Sequence, residues 1–193
     1  MTKVLLTGFE PFGTATSNPS GELVKQISGD NIVTANLPVT YAQSAERLLE
    51  LIAEHNPDVV ICLGQAEGRT QITPEKVAIN LDDARLPDNA GVQRSDVKIL
   101  GDGPDAYFTT LPIKEMVDAA KAAGVPASVS LSAGAFLCNH VFYVAQNKFA
   151  GSKVRSGFVH VPLMDSQAPE FPGLPTMPLD QMVKAVRAML EVL

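Results

Sequence analysis

With 193 residues, 46% of them hydrophobic and 19% charged, the chain can bury one full core without staples and is short for two domains. A net charge of -6 with scattered cations excludes a surface built for phosphate backbones, so no nucleic-acid partner is expected. The opening Lys3-Val4-Leu5-Leu6-Thr7 lacks the apolar core of a signal peptide, and no run reaches the roughly 18 apolar residues of a membrane span. A soluble, cytoplasmic protein without membrane partners is expected. Two cysteines are too few for a disulfide framework, and three histidines without a close cysteine pair leave no zinc-type spacing. Neither a structural metal nor a metal site of any kind is expected.

In chain order, strand-like apolar runs fall at Val4–Thr7, Ile32–Leu37, Val59–Leu63, Val77–Leu81, Ala127–Leu131 and Phe158–Leu163. Between the second and third, Ala45, Leu48, Leu49 and Ile52 recur at helical spacing and predict a helix over Tyr41–Asn56. Ile113, Met116, Val117 and Ala120 predict another, stopped by Gly124, and Leu179 to Leu190 a last one. Strands alternating with helices predict an α/β fold, a single three-layer α/β/α domain over residues 1–193 with a mostly parallel, twisted sheet. Ligands then belong at the carboxyl ends of the strands. The Gly-, Pro- and Asp-rich stretch from Asp82 to Pro112 interrupts the rhythm and reads as a functional loop or an extra hairpin.

The stretch Ala133-Gly134-Ala135-Phe136-Leu137-Cys138-Asn139-His140 places a cysteine where a turn opens a helix. Unpaired N–H groups there stabilise a thiolate and can cradle an oxyanion. The same cysteine, flanked by Phe136, Leu137, Val141 and Phe142, also reads as core filling. Cys62, inside Val59-Val60-Ile61-Cys62-Leu63, reads as a structural thiol in a buried strand. Of the possible bases, His140 is two residues from Cys138 and would point to another side of a helix, and His55 sits at a helix end. That leaves His160 in Gly157-Phe158-Val159-His160-Val161-Pro162, either a catalytic base or a core histidine satisfied by backbone. Glu10, Glu75, Asp82, Asp83 and Asp165 could each orient it, and spacing alone does not choose.

Taken together, Gly8-Phe9-Glu10-Pro11-Phe12-Gly13, Asn18-Pro19-Ser20, Gly64-Gln65-Ala66, Ile72 to Asn80, Asp83 to Asn89, Phe136 to His140 and Gly157 to Pro162 resemble the pyroglutamyl peptidase I family of cysteine peptidases. Seven segments in the family's order make the resemblance specific. It implies an omega peptidase that removes N-terminal pyroglutamate through a thioester, with Cys138 as nucleophile, His160 as base and Glu75 as the orienting acid. Glu75 is expected to raise the imidazole pKa, and the resulting ion pair to lower that of the thiol. No cofactor is implied, and a homotetramer is.

A lactam has no ammonium to receive, so its pocket needs apolar walls, for which Phe9, Phe12 and Phe136 are candidates, and polar groups matching N–H and C=O, for which Gln65 and Asn18 are candidates. Arg85 is an accessory candidate at the oxyanion, set against a surface or loop-bracing arginine. The chain departs from the family at Glu67, where glycine is usual, at Ala135 in place of threonine, and at Leu163-Met164-Asp165. Glu67 would strain the loop if that position required a positive φ. Competing functions are a thiol hydrolase for another cyclic or small acyl amide, and a non-catalytic binder of lactam-capped peptides or a fold relative such as a nucleoside-processing enzyme.

Overall fold

The computed structural model describes residues 2–193. Its elements in chain order are β1 (Val4–Phe9), α1 (Pro19–Lys25), β2 (Ile32–Leu37), α2 (Ser44–His55), β3 (Val59–Gln65), β4 (Thr73–Pro74), β5 (Val77–Ile79), β6 (Ala106–Phe108), α3 (Ile113–Ala122), α4 (Leu137–Lys148), β7 (Arg155–Val161), β8 (Leu163–Met164), β9 (Thr176–Met177) and α5 (Leu179–Leu190). The main sheet runs β2-β1-β3-β7-β4, parallel except for β4 at the edge.

Strand periodicity assigns the faces. Val4, Leu6, Ile61, Leu63, Val159 and Val161 pack with α1, α3 and α5, whereas Leu5, Val60, Cys62 and Phe158 pack with α2 and α4. A central strand flanked by parallel neighbours and covered on both sides must be apolar throughout, which is why β3 reads as a continuous run. Its last residues, Gly64 and Gln65, pair with His160 and Val161 of β7. The ends of β3 and β7 therefore open together beneath the start of α4.

Three expected strands differ. Ala127–Leu131 forms only isolated bridges, Ile72 to Ala127 and Glu75 to Ser130. Backbone bonds flank a gap there, with Ser128 N–H and Ser130 N–H donating to Ile72 and Pro74, because Pro74 has no N–H for the missing rung. Val77–Leu81 shortens to β5 and leaves the main sheet to pair with β6, so the Asp82–Pro112 stretch supplies the return strand of a small ribbon. Pro162 ends β7, and Leu163–Met164 pairs separately with β9. The helix expected over Tyr41–Asn56 spans Ser44–His55 and closes on Asn56 in the left-handed region, φ 46°.

Candidate active site

Cys138 is the second residue of α4, whose N-cap Phe136 makes no side-chain capping bond, so the first-turn N–H groups are left uncapped by it. The helix start is anchored from below by Asn139, whose side chain accepts from Ile79 N–H (2.9 Å) and donates to the Ile79 and Leu81 carbonyls (2.9 Å each). Gly134, at φ 74°, makes the turn that brings the chain into the helix.

The thiol lies over Gly64: a methyl group there would sit 2.8 Å from Cys138 Sγ and 2.7 Å from Phe158 Cζ. His160 is the β7 partner of Gly64, on the same face of the sheet, with its ring 4.8 Å from that of Phe158. Thiol and imidazole thus converge on one strand position. His160 is 4% exposed, and its Nδ1 lies 2.7 Å from Oε1 of the fully buried Glu75. A carboxylate only accepts, so Nδ1 carries the proton and Nε2 is left with a lone pair. Glu75 is held by its own N–H, which donates to Phe158 carbonyl at 2.9 Å.

Burial pushes the Cys138 thiol up to about 12, with Glu75 and Cys62 adding to the rise and Arg69 opposing it. Burial also holds the His160 imidazole below its ordinary value, outweighing the hydrogen bond and charge of Glu75, with Arg69 acting in the same direction as burial. Desolvation penalises both charged forms and so opposes the expected thiolate–imidazolium pair.

Beside the thiol is a cavity of about 170 Å³ lined by Phe9, Phe12, Asn18, Val39, Gln65, Glu67, Phe136, Leu137 and Cys138. Drug-sized sites occupy roughly 300–1,000 Å³, so this one suits a single small ring. Phe12 and Phe136 pack at 5.3 Å between ring centroids, with Tyr41 edge-on to Phe136 at 5.7 Å. Asn18 lines the cavity while its side chain is already engaged, accepting from Ser20 N–H and Oγ and donating to Glu10 carbonyl at 3.0 Å. It braces the first loop as the cap of α1. Glu67 is not in the left-handed region, which Gly68 occupies at φ 79°, so the glutamate strains nothing. Arg85 lies outside this cavity; it lines a neighbouring one of about 570 Å³ that shares Phe12 and Phe136.

Several residues at the site went unread in the sequence. Gly64 clears room for the thiol. Gln167, fully buried, donates from Nε2 to Gln65 Oε1 (3.0 Å) and Ser17 carbonyl (3.3 Å) and accepts from Met164 N–H (2.9 Å). Arg69 reaches Glu75 at 2.8 Å. Asp82, one of the open acids, sits in a parallel arrangement: His140 Nδ1 is 2.9 Å and Arg94 Nη1 2.7 Å from its Oδ2. His140 is therefore committed elsewhere, and Arg94, stacked 4.4 Å over Tyr41, supports the ring that backs Phe136. No sequence spacing signals these long-range partners.

A thiol over one strand position and a glutamate-bound imidazole at the paired position, next to a cavity sized for one ring, are the equipment of a cysteine hydrolase with a narrow acyl site. The chain belongs to the pyroglutamyl peptidase family, whose model, described as Pyroglutamyl peptidase, matches residues 2–193. The pyrrolidone-carboxylate peptidase of Vibrio vulnificus (strain YJ016) is 47% identical, the match covering 98% of this chain and 92% of the relative. That of Aliivibrio fischeri (strain MJ11) is 48% identical over 96% and 90%. The crystal structure of Bacillus amyloliquefaciens pyroglutamyl peptidase I superposes with a TM-score of 0.93 at 44% identity, covering 98% and 95%.

Proposed function

We propose that the protein hydrolyses the amide bond after an N-terminal pyroglutamyl residue. His160 Nε2 takes the Cys138 proton as Sγ attacks the acyl carbonyl, so charge develops only during attack. The uncapped N–H groups at the start of α4 receive the oxyanion, a contribution of roughly 3–4 kcal/mol per donor in comparable enzymes. The imidazolium returns the proton to the departing amine, leaving a thioester. Water, deprotonated by His160, then attacks the thioester, releasing 5-oxoproline and the thiol. Glu75 orients the imidazole and stabilises its charged form. Side chains handle every proton, so this reading calls for no cofactor.

Phe9, Phe12 and Phe136 wall the lactam ring, and burial of about 100 Å² of apolar area would contribute about 2.5 kcal/mol before ordering costs. Gln65 supplies the polar match, and Asn18 holds the loop that carries Phe12. This reading assigns Arg85 to the departing peptide, since Arg85 lines the adjoining cavity and not the one that contains Cys138. Assembly into a homo-oligomer, a tetramer by resemblance, is supported by exposed Leu131 (74%) and Phe108 (68%). No helix among the described residues is long and apolar enough to cross a membrane, and the reading places the enzyme in the cytoplasm.

The observation that carries this reading is the 2.7 Å contact of the buried Glu75 with Nδ1 of His160, the strand partner of the glycine beneath the thiol. Release of a chromophoric amine from its pyroglutamyl amide tests it, with the prolyl amide as control. Turnover of the first alone, abolished in Cys138→Ala, is expected; equal turnover of both, or activity surviving the substitution, would remove the lactam reading or the nucleophile.

A further inference from the structure

Glu75 is completely buried, yet one of its oxygens does double duty. Oε1 meets His160 Nδ1 at 2.7 Å and Arg69 Nη1 at 2.8 Å, while Oε2 has no hydrogen-bond partner among the described residues. The same guanidinium bonds the Thr73 hydroxyl and, through Nη2, donates to the Ser132 carbonyl at 3.0 Å. Arg69 therefore ties together the acid, the edge strand that immediately precedes it, and the loop that leads through Gly134 into α4. It also ends the Gln65–Arg69 loop, whose first residues line the acyl cavity.

A brace for Ser132 and Thr73 alone would need no charge. The third contact goes to the very oxygen that the imidazole uses. We propose that Arg69 is a positioning residue for the reaction proposed above: by sharing Glu75 Oε1 with His160 it fixes the carboxylate and restrains its pull on a second imidazole proton. Without a cation behind it, a buried glutamate would favour a permanent imidazolium partner, since the pair Glu−/His+ is neutral as a unit. With Arg69 in place, the neutral combination is Arg+/Glu−/His, which leaves Nε2 free to accept the thiol proton. Arg69 is a quarter exposed while Glu75 is not exposed at all, so the guanidinium keeps contact with water as the acid does not.

The sign of the effect follows from the groups that surround each partner. Those acting on His160 are Glu75, just after β4, and Arg69, from the loop after β3; those acting on Cys138 are Glu75, Cys62 and Arg69. Arg69 disfavours the imidazolium and favours the thiolate. Its removal must raise both affinities for a proton, whichever group governs a given limb of the rate profile. A like or opposite charge at this range moves a titration by about one unit or more.

The test is kcat/KM for a pyroglutamyl chromophoric amide against pH, which reports free-enzyme groups, in wild type, Arg69→Met and Arg69→Lys. Arg69→Met is expected to move both limbs up by about one pH unit and to lower kcat about 10- to 100-fold, with KM changed less than about 3-fold. Lysine keeps the charge at Glu75 but gives up the fork to Ser132. Arg69→Lys should keep the wild-type limbs even if its maximum falls. Two unmoved profiles with equal losses would make Arg69 a loop brace only and overturn the proposal, as would a lysine variant shifted as far as methionine. The rate of Cys138 alkylation against pH needs no substrate and should shift in the same direction. It separates failure of this inference from failure of the pyroglutamyl reading, and the lysine variant preserves the test if methionine does not fold.

Discussion

Replacing Gly64 with alanine adds a single carbon where the fold has least room for it. The new Cβ would lie 2.8 Å from Cys138 Sγ and 2.7 Å from Phe158 Cζ, about 1 Å inside ordinary contact. Phe158 is fully buried and packs on Phe142 with centroids 6.1 Å apart, so the ring has little freedom to retreat. The thiol can rotate, and in the proposed reaction its sulfur is the atom that attacks. A misplacement of about 1 Å at a reacting centre can cost 100-fold, so kcat/KM is expected to fall about that much. Overpacking should also cost about 1–3 kcal/mol. For a chain of this size that lowers Tm by roughly 2–4 °C per kcal/mol. Turnover of a pyroglutamyl chromophoric amide, measured well below the variant's Tm, and thermal unfolding give the two numbers. Activity within about 3-fold of wild type would refute the placement of the thiol over Gly64, and a normal Tm would refute the crowding.

Three further outcomes follow from neighbouring contacts. Glu75→Gln preserves shape but offers the imidazole an amide; loss of the enforced tautomer should reduce kcat by about 10³ to 10⁴, as in serine-histidine systems, and a drop below 10-fold in steady-state assays would deny Glu75 its role. Gln167→Leu strands Gln65 Oε1 and Met164 N–H in a buried site. At about 1–3 kcal/mol for an unmet group, KM and the inhibition constant of free 5-oxoproline should rise about 10-fold while kcat holds, and a pure kcat effect would contradict a recognition role. Burial pushes the Cys62 thiol up to about 12, opposed by the nearby Thr7 side chain. The unfolded chain releases that proton first, so the stability it contributes is full below about pH 8.5 and lost as pH rises toward 12. Urea unfolding should therefore show the advantage of wild type over Cys62→Ala shrinking by about 1–2 kcal/mol between pH 8 and 10, and a constant difference would contradict a buried neutral thiol.

The periodic signals were sufficient wherever burial is decided locally. The all-apolar run of β3, the 3.6-residue repeats of α2, α3 and α5, and the glycine turn before Cys138 each identified an element, because a strand covered on both faces and a half-covered helix leave their mark in consecutive residues. Failures came where pairing depends on distant chain. Ala127–Leu131 has strand composition, but its ladder is broken by a proline more than fifty residues earlier. Val77–Ile79 chose β6 over the main sheet, a preference no alternation encodes.

The site divides in the same way. Cys138, His160 and the aromatic walls could be singled out from residue type and placement, and resemblance picked Glu75 from five open acids. By itself the sequence determined an α/β fold with a thiol at a helix start and one histidine on a buried strand. Only the tertiary structure decided that Glu75, eighty-five positions from His160, touches it, that Arg69 shares the same oxygen, and that Gly64 leaves the space the thiol occupies. It also set burial against the expected charged pair. Proton affinities in a desolvated site depend on burial and on every charge nearby, and those are properties of the folded arrangement, not of residues read in order.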